Sequence, residues 1–189
     1  MVIWENREEA EIVFLAKQGD LAAFDALVSR YRPGALVVAK QISRTKEMAE
    51  DAVQDSFLAA YKSLPQLADE EKFAAWFGSI LRNRARKLSQ GEVHRHRPLD
   101  DLILNHAPSI VAEIERRYDV EAVRCELVRL PDEVRPILEL YYLEYWSNKQ
   151  ISDFLALPIT TVKWRMHAGR KLLHASLSHR LEEINESGQ

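Results

Sequence analysis

Cysteine is almost missing from this chain: a single residue, Cys125, stands among 189. One thiol forms no internal disulfide, and its place between Val123 and Leu127 in a helical pattern predicts a buried, unreactive side chain. Glycine is scarce too, with six residues. Strand-like alternation is rare, while Ala, Leu, Glu, Lys and Arg recur at 3.6-residue spacing, so an all-α fold is predicted. No apolar run approaches the ~20 residues a membrane-spanning helix needs. The opening MVIWENREEAEIVF has neither a basic n-region nor a small-residue cleavage site, so a cytoplasmic protein without membrane insertion is expected. Carboxylates clustered with Lys or His at metal spacing are also lacking, which argues against a nuclease or another metal-dependent enzyme. His94, His96 and His106 with Asp100 and Asp101 fit no zinc pattern. Neither a metal nor a cofactor is expected.

What is present is charge laid out in blocks. The net charge of -3 alone speaks against a nucleic-acid binder, but the average hides the layout. From Lys72 to Pro98 seven Lys/Arg face one acid, Glu92, and from Ile159 to Arg180 five face none. Acids gather instead at the N-terminus and between Glu47 and Glu71. Such alternation suits a protein with two kinds of partner, phosphate on one surface and a basic protein on another. With 47% hydrophobic and 29% charged residues, enough apolar side chains remain for a buried core.

The helical pattern lapses between Gly91 and Ser109, in GEVHRHRPLDDLILNHAPS. Two small helical domains joined by a flexible linker are predicted: residues 1–90, a linker 91–109, residues 110–181 and a tail 182–189. In the first, helices are expected over Glu8–Gln18, Leu21–Ile42 with a disturbance at Pro33-Gly34, Lys46–Leu64 and Glu70–Leu88, with Gly19-Asp20 as break and cap. In the second, Pro131 is read as a first helical position. Ser147 with Gln150 forms a capping box, and Pro158 closes a short helix and opens one running to about Leu177.

That last helix carries an apolar stripe, Val162, Met166, Leu173 and Leu177, with Lys163, His167, Arg170 and His174 one step round. Thr160, Thr161, Trp164 and Arg165 lie near its N-terminal end, where a recognition helix enters the major groove. A short helix, a tight turn and a long basic helix is the helix-turn-helix plan. Charge and spacing alone leave two readings open, a DNA-reading face and a solvated basic face on an ordinary bundle.

The segment LPDEVRPILELYYLEYWSNKQISDFLALPITTVKWRMHAGRKLL resembles the minus-35 binding domain (region 4) of extracytoplasmic-function sigma factors of the sigma-70 family. The resemblance runs through Leu130-Pro131, Arg135, Leu138, Leu140, Ser147, Ile151, Leu155, Pro158, Thr161-Val162-Lys163, Arg165 and Arg170. It implies a minus-35 contact set of Thr160, Thr161, Lys163, Trp164, Arg165, His167, Arg170 and Lys171. The sequence departs at Ala156 and Thr160, where glycine is usual, and at Trp164, usually small. A different inter-helix turn and altered base preference are expected there.

Residues 49–55, AEDAVQD, continuing through Phe57, Leu58, Ala60 and Tyr61, are similar to the sigma region 2 helix that docks on the clamp coiled coil of RNA polymerase. Val53, Phe57, Ala60, Tyr61 and Leu64 make its apolar stripe, leaving Glu50, Asp51, Gln54 and Asp55 as a polar, acidic outer face. Taken by itself, that face reads equally as a solvated surface. Upstream, LAKQGDLAAFDALVSRYRP resembles the opening helices of the same domain. Downstream, FAAWFGSILRNRARKL resembles the minus-10 helix, with Phe73, Trp76, Phe77 and Ile80 in the core and Arg82, Asn83, Arg84, Arg86 and Lys87 along the opened strand. Lys87 replaces a usual acid, adding charge for phosphate at the expense of a structural pair. The loop Pro65–Glu71 corresponds to the one that captures a flipped base, although Asp69 to Glu71 make it acidic. Arg95 and Arg97 suit single-stranded nucleic acid or the polymerase channel.

The resemblance implies a non-catalytic subunit that binds core RNA polymerase at its clamp and flap regions, recognises and melts promoter DNA, joins the nucleoid within holoenzyme, and is restrained by an anti-sigma protein. SNKQISDFLALPITTVKW also resembles the output domain of response-regulator activators, but no parallel-strand receiver pattern precedes it. A third reading is a sigma-like interaction protein that no longer reads DNA, motivated by the departures at Ala156, Thr160, Trp164 and Lys87.

Overall fold

Gly19 and Asp20 punctuate the N-terminal helices as their chemistry suggests. Gly19 sits at φ +92°, a conformation that carries no Cβ penalty for glycine. Asp20 then caps the next helix, its carboxylate accepting from the N–H groups of Ala22 (2.9 Å) and Ala23 (3.1 Å). Those bonds satisfy donors that a first helical turn leaves without intrahelical partners. The computed structural model describes residues 7–89 and 120–187. The chain divides into two compact units, Met1–Arg95 with Ser152–Leu157 and His96–Ile151 with Pro158–Gln189. The linker assigned to 91–109, with its histidines and with Arg95 and Arg97, lies outside the described residues.

The first unit contains α1 (Glu9–Lys17), α2 (Leu21–Ile42), α3 (Lys46–Ser63) and α4 (Phe73–Leu88). Two single 3₁₀ turns, Leu64–Gln66 and Glu70–Lys72, join α3 to α4. The fourth helix thus begins at Phe73 rather than Glu70, because Asp69 caps a separate turn by accepting from the Glu71 N–H at 3.1 Å. Helix α2 runs without a break through Pro33, where a disturbance was expected. Tyr31, Gly34, Ala35 and Val38 are buried on either side of it, and packing of that stripe outweighs the local helix cost of proline. The core centres on aromatic rings: Phe57 stacks on Phe77 at 4.5 Å, and Tyr31 meets Phe73 edge-on at 5.2 Å. Trp76 and Ile80, expected in this core, are only half-buried. Their positions on α4 lie beside the stripe Phe73, Phe77, Leu81 and Ala85, which fills it.

The second unit contains α5 (Val120–Leu127), α6 (Arg135–Tyr142) and α8 (Ile159–Ser187); α7 (Asn148–Leu155) precedes α8. Pro131 does not start α6. Residues 131–134 form a turn closed by the Val134 N–H on the Pro131 carbonyl at 3.1 Å, and Pro136 occupies the first helical turn, where its missing N–H costs nothing. The capping box at α7 is formed: the Gln150 N–H reaches the Ser147 hydroxyl at 3.2 Å, and the Ser147 N–H reaches the Gln150 amide oxygen at 2.9 Å. Helix α8 continues past Leu177 to Ser187, since no glycine or proline lies between Leu177 and Ser187. Cys125 is exposed rather than buried. Val123, Glu126, Leu127 and Leu130 occupy the inward face, and 3.6-residue geometry turns position 125 away from it.

Ala156 takes φ +55°. Alanine here adopts the left-handed conformation that glycine takes without a Cβ penalty. The turn is held by the Leu157 N–H on the Ser152 carbonyl at 3.1 Å and by the Ser152 hydroxyl on the Leu157 carbonyl at 2.7 Å. Gly169 has the opposite reason to be small. A Cβ there would run into the Leu138 side chain and come within 3.2 Å of Val134 Cβ, so glycine lets α8 approach α6 closely.

Candidate protein and nucleic-acid interfaces

Helix α3 starts at Thr45, whose hydroxyl accepts from the Met48 N–H at 3.2 Å. Glu47 follows, its carboxyl held below the usual range first by its own main-chain N–H and then by the Thr45 hydroxyl. Ala49, Ala52, Val53, Ser56, Phe57 and Ala60 are buried, so 100° per residue sends Glu50, Asp51, Gln54 and Asp55 outward. All four are exposed. Lys46 approaches Glu50 at 3.7 Å with both side chains largely in solvent, a pair that neutralises little. Leu58 and Tyr61 extend the same outward surface at 53% and 44% exposure. Tyr61 was assigned to the apolar stripe, yet it leans edge-on against Phe24 with a 5.0 Å ring separation while remaining accessible. Sequence reasoning gave Leu58 no interface role, although it stands i+4 from Gln54 and i+7 from Asp51. Apolar contact flanked by carboxylates matches a basic protein surface better than it matches bulk water.

Along α4, Asn83, Arg84, Arg86 and Lys87 are exposed and Arg82 is half-buried. Burial, and secondarily Arg86, lowers the Arg82 pKa, which marks it as the least solvated cation of the row. Asn83, Arg86 and Lys87 share one face at i, i+3 and i+4. Among the described residues Arg84, Arg86 and Lys87 have no acidic partner, so their charge is available to an anionic strand.

On α8 the stripe Val162, Met166, Leu173 and Leu177 is buried to 1% exposure or less, and Gly169 completes it. Opposite this stripe lie Thr160, Trp164, His167 and Lys171. Lys163 and Arg170 flank it on one side, Thr161 and Arg165 on the other. Thr160, Lys163 and Lys171 are exposed; Thr161, Trp164, Arg165, His167 and Arg170 are partly covered. Arg170 is tied within its own unit. Its Nε donates to the Tyr142 hydroxyl at 3.2 Å, and its guanidinium carbon lies 4.7 Å from the Tyr141 ring centre. The consecutive tyrosines at 141 and 142 were the available signal for this clamp. Buried Glu126 accepts from the Ser176 hydroxyl and from Arg129 at 3.4 Å, fastening α5 to α8.

Among the described residues, no helix is long and apolar enough to cross a membrane. No group of three or more His, Cys, Asp or Glu residues among them is placed to hold a metal.

A family model of sigma-70 region 2 matches residues 27–91, and one of sigma-70 region 4 matches residues 121–173. The probable RNA polymerase sigma factor RfaY of Xanthomonas campestris pv. campestris is 30% identical over 175 residues, which cover 88% of this chain and 43% of that protein. The chain therefore spans less than half the length of that relative. The ECF RNA polymerase sigma factor SigW of Bacillus subtilis is 27% identical over 176 residues, covering 85% of this chain and 92% of SigW. A solved structure of CnrH, a sigma factor of Cupriavidus metallidurans, in complex with the cytosolic domain of CnrY has the same fold. Its TM-score is 0.58 at 24% identity, covering 90% of this chain and 97% of that one. Sigma factors are non-catalytic subunits of RNA polymerase. Two region models in the expected order and similarity to SigW over most of both chains lead to one conclusion: the chain belongs to the extracytoplasmic-function group of the sigma-70 family of RNA polymerase sigma factors.

Proposed function

We propose that this sigma factor docks on the polymerase clamp through Glu50, Asp51, Gln54, Asp55 and Leu58 of α3. It then holds the opened minus-10 strand along Asn83, Arg84, Arg86 and Lys87 of α4, with Arg82 behind them. The minus-35 element is read by Thr160, Thr161, Lys163, Trp164, Arg165, His167 and Lys171 of α8, and Arg170 braces that helix against α6. The domain plan assigned from the sequence, with a linker at 91–109, serves this two-point grip. The observation that carries the reading is the pairing of two outward rows in one unit, acidic with an apolar end on α3 and basic on α4, where Arg84, Arg86 and Lys87 have no acidic partner among the described residues. One row suits a basic protein and the other a polyanion, and a subunit that bridges polymerase and DNA needs both.

Affinity for DNA comes from phosphate neutralisation and specificity from base edges, at about 1 to 3 kcal/mol per good bidentate pair. Binding by the isolated chain is weak and salt-sensitive. Regulation by an anti-sigma protein is part of the proposal; the fold relative CnrH was solved with a protein partner.

In vitro transcription with purified core polymerase across a promoter library tests the whole. Promoter-specific transcripts that depend on this chain are expected. Core binding without any such transcript means a sigma-like interaction protein instead. Arg165→Ala is expected to weaken minus-35-dependent initiation by about ten-fold or more, with core affinity unchanged. Equal loss of both refutes the assignment of α8.

A further inference from the structure

Between α3 and α4 the chain passes through residues 64–72, which include the loop Pro65–Glu71 that the family resemblance assigns to capture of a flipped minus-10 base. Leu64 and Leu67 anchor it in the core at 1% and 7% exposure, while Pro65, Gln66, Ala68 and Glu71 face solvent. Its internal bonds are local: Leu67 N–H to the Leu64 carbonyl and Lys72 N–H to the Asp69 carbonyl, both 3.1 Å. The long-range tether comes from α1. Lys17 Nζ donates to the Leu67 carbonyl at 2.7 Å and forms an ion pair with Glu70. The Lys17 side chain is only 17% exposed and that of Glu70 29%, so this pair is far better shielded than Asp69–Lys72, at 3.1 Å with 44% and 75% exposure.

We propose that Lys17 is a positioning residue for minus-10 base selection, acting from a helix that lies ahead of the matched region 2 segment. The inference rests on the proposed function. Lys17 does two things at once. It fixes the loop main chain at Leu67, lowering the ordering cost of receiving a base, and it neutralises Glu70, which would otherwise repel the incoming strand. The Lys72–Asp69 pair stands largely in solvent and neutralises little, so Glu70 is the one carboxylate among positions 69–71 with a shielded cationic partner. The acidity that made this loop an awkward base-binding site is thus reduced by one carboxylate within the fold. A flipped base needs a rigid receptor, since unstacking already costs a few kcal/mol.

The test uses holoenzyme reconstituted with wild type, Lys17→Ala, Lys17→Arg and Glu70→Gln, transcribing a library randomised across the minus-10 element. For Lys17→Ala the preference for the favoured base at one minus-10 position is expected to fall roughly tenfold. Minus-35 preference and core affinity should stay unchanged, and Lys17→Arg should restore most of the loss. Glu70→Gln removes the ion pair that holds the Lys17 side chain at the loop, so the Leu67 tether loosens and about threefold should be lost; this variant supplies the readout if Lys17→Ala does not fold. Unchanged base preference in either variant, or a loss spread evenly over all positions and core binding, overturns the role of Lys17. A wild-type holoenzyme that initiates at no specific promoter overturns the proposed function itself, and the Lys17 inference with it.

Discussion

Ala156→Gly is expected to stabilise the protein, the reverse of what the same change does inside a helix. Ala156 sits at φ +55° in the turn between α7 and α8 and is exposed, so losing its methyl group removes no packing. An L-residue in the left-handed region costs about 1 to 2 kcal/mol relative to glycine. Glycine gives back about 0.5 to 1 kcal/mol through its greater freedom in the unfolded chain. The difference is a gain of about 0.5 to 1 kcal/mol. Urea unfolding followed by circular dichroism should show a higher midpoint at constant slope. Ala156→Val should move the midpoint down, because a β-branched side chain is still worse at positive φ. If Ala156 were an ordinary helical residue, Ala156→Gly would instead destabilise by about 0.5 to 1 kcal/mol, so a lowered midpoint refutes the reasoning. Minus-35 binding should be unaffected, since the substitution leaves the turn in the conformation it already has.

Gly169→Ala should destabilise by about 1 to 2 kcal/mol in the same assay, because overpacking against Leu138 and Val134 outweighs the helix propensity gained; a stabilised variant would mean that α8 does not approach α6 so closely. Tyr31→Phe should cost about 1.5 to 3 kcal/mol, since it keeps the buried ring but removes the 2.6 Å bond from the hydroxyl to Glu9, whereas a neutral result would place that bond outside the stability balance. Glu70 and Asp69 have carboxyls held below their ordinary values of 4.5 and 3.8, by Lys17 and Lys72 respectively. Their folded forms bind fewer protons than the unfolded chain, so this stabilisation is present above those values and is lost as pH falls through and below them. Glu70→Gln should flatten that acid dependence, and an unchanged pH profile would refute the pairing with Lys17. Arg86→Ala with Lys87→Ala should lower the salt slope of holoenzyme binding to a single-stranded minus-10 oligonucleotide by about 1.4, at about 0.7 per phosphate contact. An unchanged slope would take both side chains off the strand.

Much of the architecture was readable because it depends on neighbours in the chain. The caps at Asp20 and at Ser147 with Gln150 are bonds across two or three residues, and the outward row on α3 follows from 3.6-residue spacing once its buried stripe is known. The errors arose where tertiary packing set the answer. Pro33 is carried through α2 by the stripe buried on both sides of it. Cys125, two positions from Val123 and from Leu127, faces solvent. Trp76 and Ile80 have the right residue type for a core that Phe73 and Phe77 already fill.

The sequence by itself determined the helical class, the caps, the order of acidic and basic faces and the resemblance that named the family, because each is written in spacings of a few residues. Tertiary structure alone decided which polar side chains on those faces are already engaged. Arg170 meets Tyr142 across 28 positions, and Lys17 reaches Leu67 and Glu70 across 50 and 53. Gly169 matters only because Leu138 stands opposite it. Periodicity reports the direction in which a side chain leaves its own helix, whereas these roles depend on what another part of the chain brings to meet it.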